Sequence, residues 1–311
     1  RADPGLCQYE MVIIDEFHER SMDIDLLFSA LLTRGDTPLC LMSATIAAAR
    51  LTEFIQGRHL HSAGRAFPVS TVYRGEETLP TIKRLTERVC DVLAEYRDVD
   101  GDCLVFLPGK GEILDVFSAC QLDSRLSGVE LIKLHGDLTL SEQNKVFATS
   151  SAKRIVLSTN VAETSLTVPN ITCVVDSGLV RQSIYRDGRG QLTLTPVAAD
   201  SAAQRAGRAG RIAPGTAIRL WSLRGNLAET TKPEVLRESV TPLLLNLASL
   251  GLDAKTCRML DRPPDHSLDS ARAELTALGA LSEDDEITAV GRAMVELPID
   301  LQLARWLVSS R

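Results

Sequence analysis

Cys103-Leu104-Val105-Phe106-Leu107 is a run of five apolar residues that stops at Pro108-Gly109 and gives way to a helix-period stretch over residues 112–122. A short apolar run closed by turn residues and followed by a helix reads as a strand buried on both faces, the unit from which parallel sheets are built. The alternation repeats downstream. Leu131-Ile132-Lys133-Leu134 leads to His135-Gly136, Arg154-Ile155-Val156-Leu157 leads to Ser158-Thr159-Asn160, and Cys173-Val174-Val175-Asp176 and residues 216–223 are further strands. Strands alternating with helices predict a right-handed, parallel α/β sheet. A helix over residues 81–96, with Ile82, Leu85, Val89 and Leu93 on one face, leads into it.

Upstream lies a second, smaller piece of the same kind. Glu10-Met11-Val12-Ile13-Ile14 ends in Asp15-Glu16-Phe17-His18-Glu19-Arg20, an amphipathic helix follows over residues 23–32, and Leu39-Cys40-Leu41-Met42 ends in Ser43-Ala44-Thr45. The carboxyl edge of a parallel sheet is where ligands bind. An Asp there suits a Mg²⁺ that keeps most of its waters, and a neighbouring Glu suits activation of a water; solvated acids capping a strand are the alternative. Ala63-Gly64-Arg65-Ala66-Phe67-Pro68 punctuates the chain and marks the first domain boundary. Pro108-Gly109-Lys110-Gly111 is not a phosphate loop, because G-x-x-x-x-G-K-[ST] needs Gly where Leu104 stands and Ser or Thr where Gly111 stands.

Beyond Asp176, the stretch from Ile184 to Leu194 reads strand, Asp187-Gly188 turn, strand, a hairpin signal. Its flanking Arg186 and Arg189 suit nucleic-acid phosphates; a solvated hairpin tip is the other reading. Residues 234–250 and 270–278 have helical period, with the polar turn Glu283-Asp284-Asp285-Glu286 between short extended pieces after them. Helices with a small β-wing predict a winged helix, a fold that binds nucleic acid or, with this many acids, acts as scaffold. A last helix begins at Leu301.

Composition excludes several classes. The 311 residues carry a net charge of -7, which argues against generic coating of nucleic acid, although the arginines cluster between Arg181 and Arg224. Seven cysteines, without a C-x-x-C pair, predict neither zinc nor a disulfide framework and point to a reducing, cytoplasmic compartment. No apolar run is long enough to span a membrane, and no signal-peptide pattern opens the chain.

Within the arginine cluster, Gln204-Arg205-Ala206-Gly207-Arg208-Ala209-Gly210-Arg211 has the most specific spacing. In a continuous helix Gln204, Arg208 and Arg211 fall at i, i+4 and i+7, one stripe, which presents an amide and two forked guanidiniums to triphosphate oxygens. A solvated basic helix is the alternative. Gly207 and Gly210 on the neighbouring stripe admit a backbone or ligand.

Taken in order, these motifs resemble the superfamily 2 helicases of the DEAH type, most closely the bacterial HrpB-like branch. Asp15-Glu16-Phe17-His18 is similar to motif II with Phe in place of Ala, and Ser43-Ala44-Thr45 to motif III. Thr159-Asn160-Val161-Ala162-Glu163-Thr164-Ser165-Leu166-Thr167 is similar to motif V, and the octamer from Gln204 to Arg211 matches motif VI at every position. The fold the resemblance implies is α/β, with two RecA-like parallel sheets, the first truncated, then a winged-helix domain and the start of a helical domain. The expected boundaries are 1–66, 67–225, 226–298 and 299–311.

The implied function is that of an ATP-dependent RNA helicase using ATP and Mg²⁺, a monomer that couples hydrolysis to movement along RNA. Asp15 would hold Mg²⁺ through water, Glu16 would activate the hydrolytic water, Gln204 would position it, and Arg208 and Arg211 would stabilise charge on the γ-phosphate. Phe147 stands where the family stacks a ring on adenine, near ribose contacts at Thr167; a core Phe is the alternative. Ser43, Thr45 and His18 would couple nucleotide state to motion, and Thr159, Asn160, Arg186 and Arg189 would contact a single-stranded RNA segment between lobes and winged helix. The family's G-x-x-x-x-G-K-[ST] loop is not among these 311 residues, so a non-catalytic RNA-binding or interaction module is the competing expectation, and a DNA-directed or structural ATPase a third.

Overall fold

A computed structural model describes residues 6, 8–35, 37–44, 48–62, 64, 66–148, 150–163, 166–186 and 189–310, with Arg186 described by its backbone alone. Two compact units emerge. The first gathers residues 1–61, 183–191 and 232–311, the second residues 62–182 and 192–231.

In the first unit, β1 (Val12–Ile14) and β2 (Leu39–Leu41) pair in parallel, Ile13 opposite Cys40. Ser21 caps the intervening helix Met22–Arg34 by accepting the Ile24 N–H at 3.3 Å, and Gly35 ends it in the left-handed conformation. Phe17 and Phe28, both fully buried, meet edge to face at 4.8 Å under the strand ends. Three helices, Thr241–Ser249, Asp265–Ala277 and Ala289–Val295, form the winged-helix core, and an antiparallel bridge between Leu281 and Ile287 supplies the wing around the acidic turn. The expected helix over residues 234–250 is broken. Glu234–Leu236 is a single 3-10 turn and the α-helix starts only at Thr241, with Pro242 in its first turn, where its missing N–H costs nothing.

In the second unit, β3 (Val69–Tyr73), β4 (Asp102–Phe106), β5 (Glu130–Leu134), β6 (Arg154–Ser158), β7 (Ile171–Asp176) and β10 (Gly215–Arg219) form one all-parallel sheet in the order β3-β10-β7-β4-β6-β5. Between β7 and β10 the hairpin of β8 (Leu179–Arg186) and β9 (Arg189–Pro196) intervenes. The pleat divides the sheet's core in two. Cys103, Val105 and Leu107 pack with the helices Leu85–Glu95 and Lys110–Leu122 on one face, whereas Leu104 and Phe106 pack with Val146, Ala162 and Ala209 on the other.

Two elements have bounds other than those the spacing predicts. The helix expected over residues 81–96 starts at Leu85, because Arg84 takes a left-handed conformation (φ 52°) and breaks the period before it. Leu85, Val89 and Leu93 are buried as expected, while Ile82 is 44% exposed. The strand expected over 216–223 ends at Arg219. Finally, β3 is an edge strand that the alternation of later strands and helices does not announce.

Candidate functional site

Each unit presents one cluster of the motif residues. In the first, the chain leaves β1 and makes a single 3-10 turn, Phe17–Glu19, between two non-glycine residues in the left-handed region, Glu16 (φ 51°) and Arg20 (φ 47°). Such conformations are uncommon outside glycine and persist where surroundings impose them. Two things impose them here. Phe17 is fully buried against Phe28, and its N–H donates to the Met42 carbonyl at 2.9 Å, while the Met42 N–H donates to the Ile14 carbonyl at 2.8 Å. Phe17 is thus the core plug of the turn.

The turn leaves Asp15 exposed and Glu16 half-exposed at the strand's carboxyl end. The Glu16 N–H donates to Asp15 Oδ1 at 2.8 Å. His18 lies between the motifs: its Nδ1 is 3.3 Å from the Ser43 hydroxyl, and its buried Nε2 is 3.4 Å from Glu16 Oε2 without meeting hydrogen-bond geometry. Thr45 lies outside the described residues.

Arg20 fastens the far side of the turn. It donates to both Asp25 oxygens (2.7 and 3.2 Å), lies 2.8 Å from Asp261, and covers the Phe17 ring with its guanidinium 5.5 Å from the centroid. Arg50 reaches the other Asp261 oxygen at 2.8 Å. The Arg20 carbonyl accepts the Glu234 N–H, and Glu234 Oε2 accepts the Met22 N–H. Burial pushes the Asp25 carboxyl above its ordinary range despite Arg20. Asp261 is also burdened by burial, but hydrogen bonds from Arg50 and Arg20 outweigh it and hold the carboxyl below its ordinary value.

In the second unit, the octamer is not one continuous α-helix. The helix Ala199–Gly207 tightens into a 3-10 turn at Arg208–Gly210, so the expected single stripe of Gln204, Arg208 and Arg211 is broken. Arg208 turns inward, 7% exposed, and donates to the carbonyls of Leu166 (3.1 Å) and Glu163. Arg211 stays exposed and donates to the Thr167 hydroxyl at 2.5 Å. Gln204 is half-buried.

Arg205, to which the motif spacing assigns no role, is the most buried of the four. Its Nε donates to Glu163 at 2.8 Å, its Nη1 to Asp176 at 3.0 Å, and its guanidinium stacks 4.9 Å from the Phe106 centroid. Ser201 donates to the second Glu163 oxygen at 2.5 Å. Burial pushes the Arg205 guanidinium toward neutrality, yet the Asp176 and Glu163 charges and hydrogen bonds more than restore it. The spacing of arginines carried no sign of this, since its partners lie 42 and 29 residues away.

The remaining candidates are dispersed over both units. Thr159 follows the end of β6, donates its N–H to the Leu134 carbonyl at 3.2 Å, and precedes the 3-10 turn Asn160–Ala162, with Asn160 exposed. Phe147 ends another 3-10 turn, Asn144–Phe147, and is 43% exposed, so the alternative of a core Phe fails. Arg189, which opens β9 and belongs to the first unit, is exposed, and the Arg186 side chain lies outside the described residues.

Family models match two stretches of this chain: the helicase conserved C-terminal domain over residues 84–213, and the winged-helix helicase associated domain HA2 over residues 271–299. The ATP-dependent RNA helicase HrpA of Escherichia coli is 37% identical over 99% of this chain, and the HrpA homolog of Haemophilus influenzae is 36% identical over the same share. Two crystal structures of E. coli HrpB, one described as a DExH-box NTPase and the other as a DEAH/RHA helicase, are 38% identical over 100% of the chain, with TM-scores of 0.84 and 0.88. The chain belongs to the DEAH-box helicases of the HrpA/HrpB branch. It spans about 25% of the length of the HrpA relatives and 40–41% of the solved HrpB chains.

Among the described residues no group of three or more His, Cys, Asp or Glu side chains is placed to hold an ion. Asp15 offers one exposed carboxylate, which fits Mg²⁺ held through water and phosphate oxygens and does not fit zinc. No helix among the described residues is long and apolar enough to cross a membrane.

Proposed function

We propose that this chain is the part of an ATP-dependent RNA helicase that carries motifs II, III, V and VI. The contact of Arg211 with Thr167 is the observation that supports the reading most directly, since it ties the exposed motif VI arginine to the end of motif V. The pairing of His18 with Ser43 does the same for motifs II and III.

In this reading Asp15 holds Mg²⁺ through water, and the ion supplies charge neutralisation of the phosphates. Glu16 orients and deprotonates the attacking water, Gln204 positions that water, and Arg211 donates to the γ-phosphate oxygens as charge develops. Arg208 acts with Arg211, by its own donors or by fixing the carbonyls of Glu163 and Leu166. Phe147 stacks on the adenine and Thr167 lies at the ribose. His18, Ser43 and Thr45 transmit nucleotide state, and Thr159, Asn160, Arg186 and Arg189 take RNA phosphates. The assigned segments are 1–66 for the first RecA-like lobe, 67–225 for the second, 226–298 for the winged helix and 299–311 for the start of a helical domain. The complete protein acts as a monomer in the cytoplasm.

Glu16→Gln in the complete protein tests the assignment. The expected outcome is ATP binding at wild-type affinity with hydrolysis lost, and undiminished turnover would remove Glu16 from the mechanism. Stimulation of the ATPase by RNA, against DNA of the same length at one salt concentration, tests the nucleic-acid class.

A further inference from the structure

Phe147 is an exposed aromatic ring on a 3-10 turn only four residues long, Asn144–Phe147. A turn so short has too few internal hydrogen bonds to hold a ring in one orientation. Two contacts from outside hold it. Val146, fully buried, plugs the turn into the sheet's core. The guanidinium of Arg154, at the start of β6, donates from Nη1 to the Val146 carbonyl at 3.0 Å and to the Ala148 carbonyl at 2.6 Å, the two carbonyls on either side of Phe147.

The guanidinium is itself fixed. Arg154 Nε and Nη2 both donate to Asp102 Oδ2, at 2.8 and 2.6 Å, and the Arg154 N–H donates to Asp102 Oδ1 at 2.9 Å. Asp102 opens β4, the strand beside β6, and the two residues are 2% and 4% exposed. A buried ion pair adds little net stability over an apolar pair of the same shape. What a rigid fork does add is a second edge that clamps the turn to the sheet.

We infer that Arg154, bracketed by Asp102, is a positioning residue for nucleotide binding: it holds the 146–148 backbone so that Phe147 presents its ring to the base already oriented. This rests on Phe147 being the base-stacking ring. A ring ordered before binding loses no further freedom when the base arrives, which lowers the cost of association.

The test is a double-mutant cycle in the complete protein, with Arg154→Lys, Phe147→Ala and the pair, read by steady-state kinetics with ATP and with ribose 5′-triphosphate, which has no base. Lysine keeps the charge but offers no fork to span two carbonyls and a carboxylate. Arg154→Lys is expected to raise KM for ATP about tenfold, as loss of base stacking on an aromatic ring would, with kcat within about twofold. KM for ribose 5′-triphosphate is expected to stay put, and Arg154→Lys is expected to add nothing once Phe147 is Ala. If Phe147→Ala raises KM for ATP but Arg154→Lys adds its full factor on top, or raises KM equally for the base-free triphosphate, the bracket is structural only and the inference falls alone. If Phe147→Ala leaves KM for ATP unchanged, the stacking role falls and takes the inference with it. Should Arg154→Lys lower the melting temperature too far for assay, Asp102→Asn, which keeps the shape of the bracket and weakens its charge, is read by the same criteria.

Discussion

The acid-bearing turn of the first unit and the arginine-bearing helix end of the second solve opposite problems. Asp15 is exposed and Glu16 half-exposed, both contacted mainly by their own neighbours, and their placement comes from what lies beneath: a buried Phe17, two left-handed residues and the Arg20 ion-pair network. The motif VI arginines are instead graded by depth. Arg205 is 1% exposed, Arg208 7% exposed, and Arg211 exposed. Their spacing presents them as near-equivalent cations; their partners separate them into residues that build the cluster and one that faces outward.

The largest expected effects come from opposing Arg211 to Arg205. Arg211→Ala is expected to lower ATP turnover by roughly 10³-fold, the lower end for an arginine finger, while leaving the melting temperature unchanged, because it donates only from the surface. Arg205→Met should do the reverse. It strands the buried carboxylates of Asp176 and Glu163, and breaking such a cluster from one side costs about 3–5 kcal/mol. Melting curves beside turnover for both variants separate the two roles, and a fully stable Arg205→Met would erase the contrast.

A smaller effect probes the support of the acid-bearing turn. Asp261→Asn removes the charge that pairs with Arg20 and weakens the hydrogen bond from Arg50, and is expected to cost roughly 1–2 kcal/mol. It should also change the acid limb of stability. The Asp261 carboxyl is held below its ordinary value, so its contribution is present above the unfolded-state pKa and is lost as pH falls through the lower folded-state value. Denaturant titrations on the acid side should therefore converge for wild type and variant as pH drops; parallel curves would show that Asp261 does not carry this part of the dependence.

Legibility followed the kind of interaction. Runs such as Cys103-Leu104-Val105-Phe106 announce buried parallel strands because burial on both faces leaves no polar alternation to misread, and β4, β5, β6 and β7 fall where those runs stand. Val69–Tyr73 forms the sheet edge, with one sheet neighbour and no fully buried residue, and its mix of Val, Ser, Thr and Tyr left a weaker trace. At the site, the exposed groups were legible as residue types in ordered motifs. Arg205 and Arg154 were not, because their partners are carboxylates and carbonyls brought close only by the fold: Asp102 is 52 residues from Arg154 and Glu163 is 42 from Arg205. Even the helix that spacing predicts for motif VI stops at Gly207, where Arg208 turns to bond the backbone of motif V.

The two glycines of that motif divide in the same way, and they give the finest test of the contrast between structural and outward-facing positions. A Cβ on Gly210 would stand 2.6 Å from the Phe67 carbonyl oxygen and 2.7 Å from Val69 Cγ2, and the Gly210 carbonyl already accepts the Phe67 N–H at 2.8 Å. Gly210→Ala must push β3's approach outward and is expected to cost about 1–3 kcal/mol. Gly207, at the last position of its helix with ordinary helical angles (φ -58°, ψ -20°), would meet nothing within 4 Å. Gly207→Ala should therefore stabilise the second unit by about 0.4–1 kcal/mol, through the freedom that alanine removes from the unfolded chain. If Gly207→Ala raises the melting temperature while lowering turnover, the open space at that glycine belongs to a ligand; if turnover is untouched, Gly207 is merely a tolerated residue and only Gly210 is required, by the backbone of Phe67.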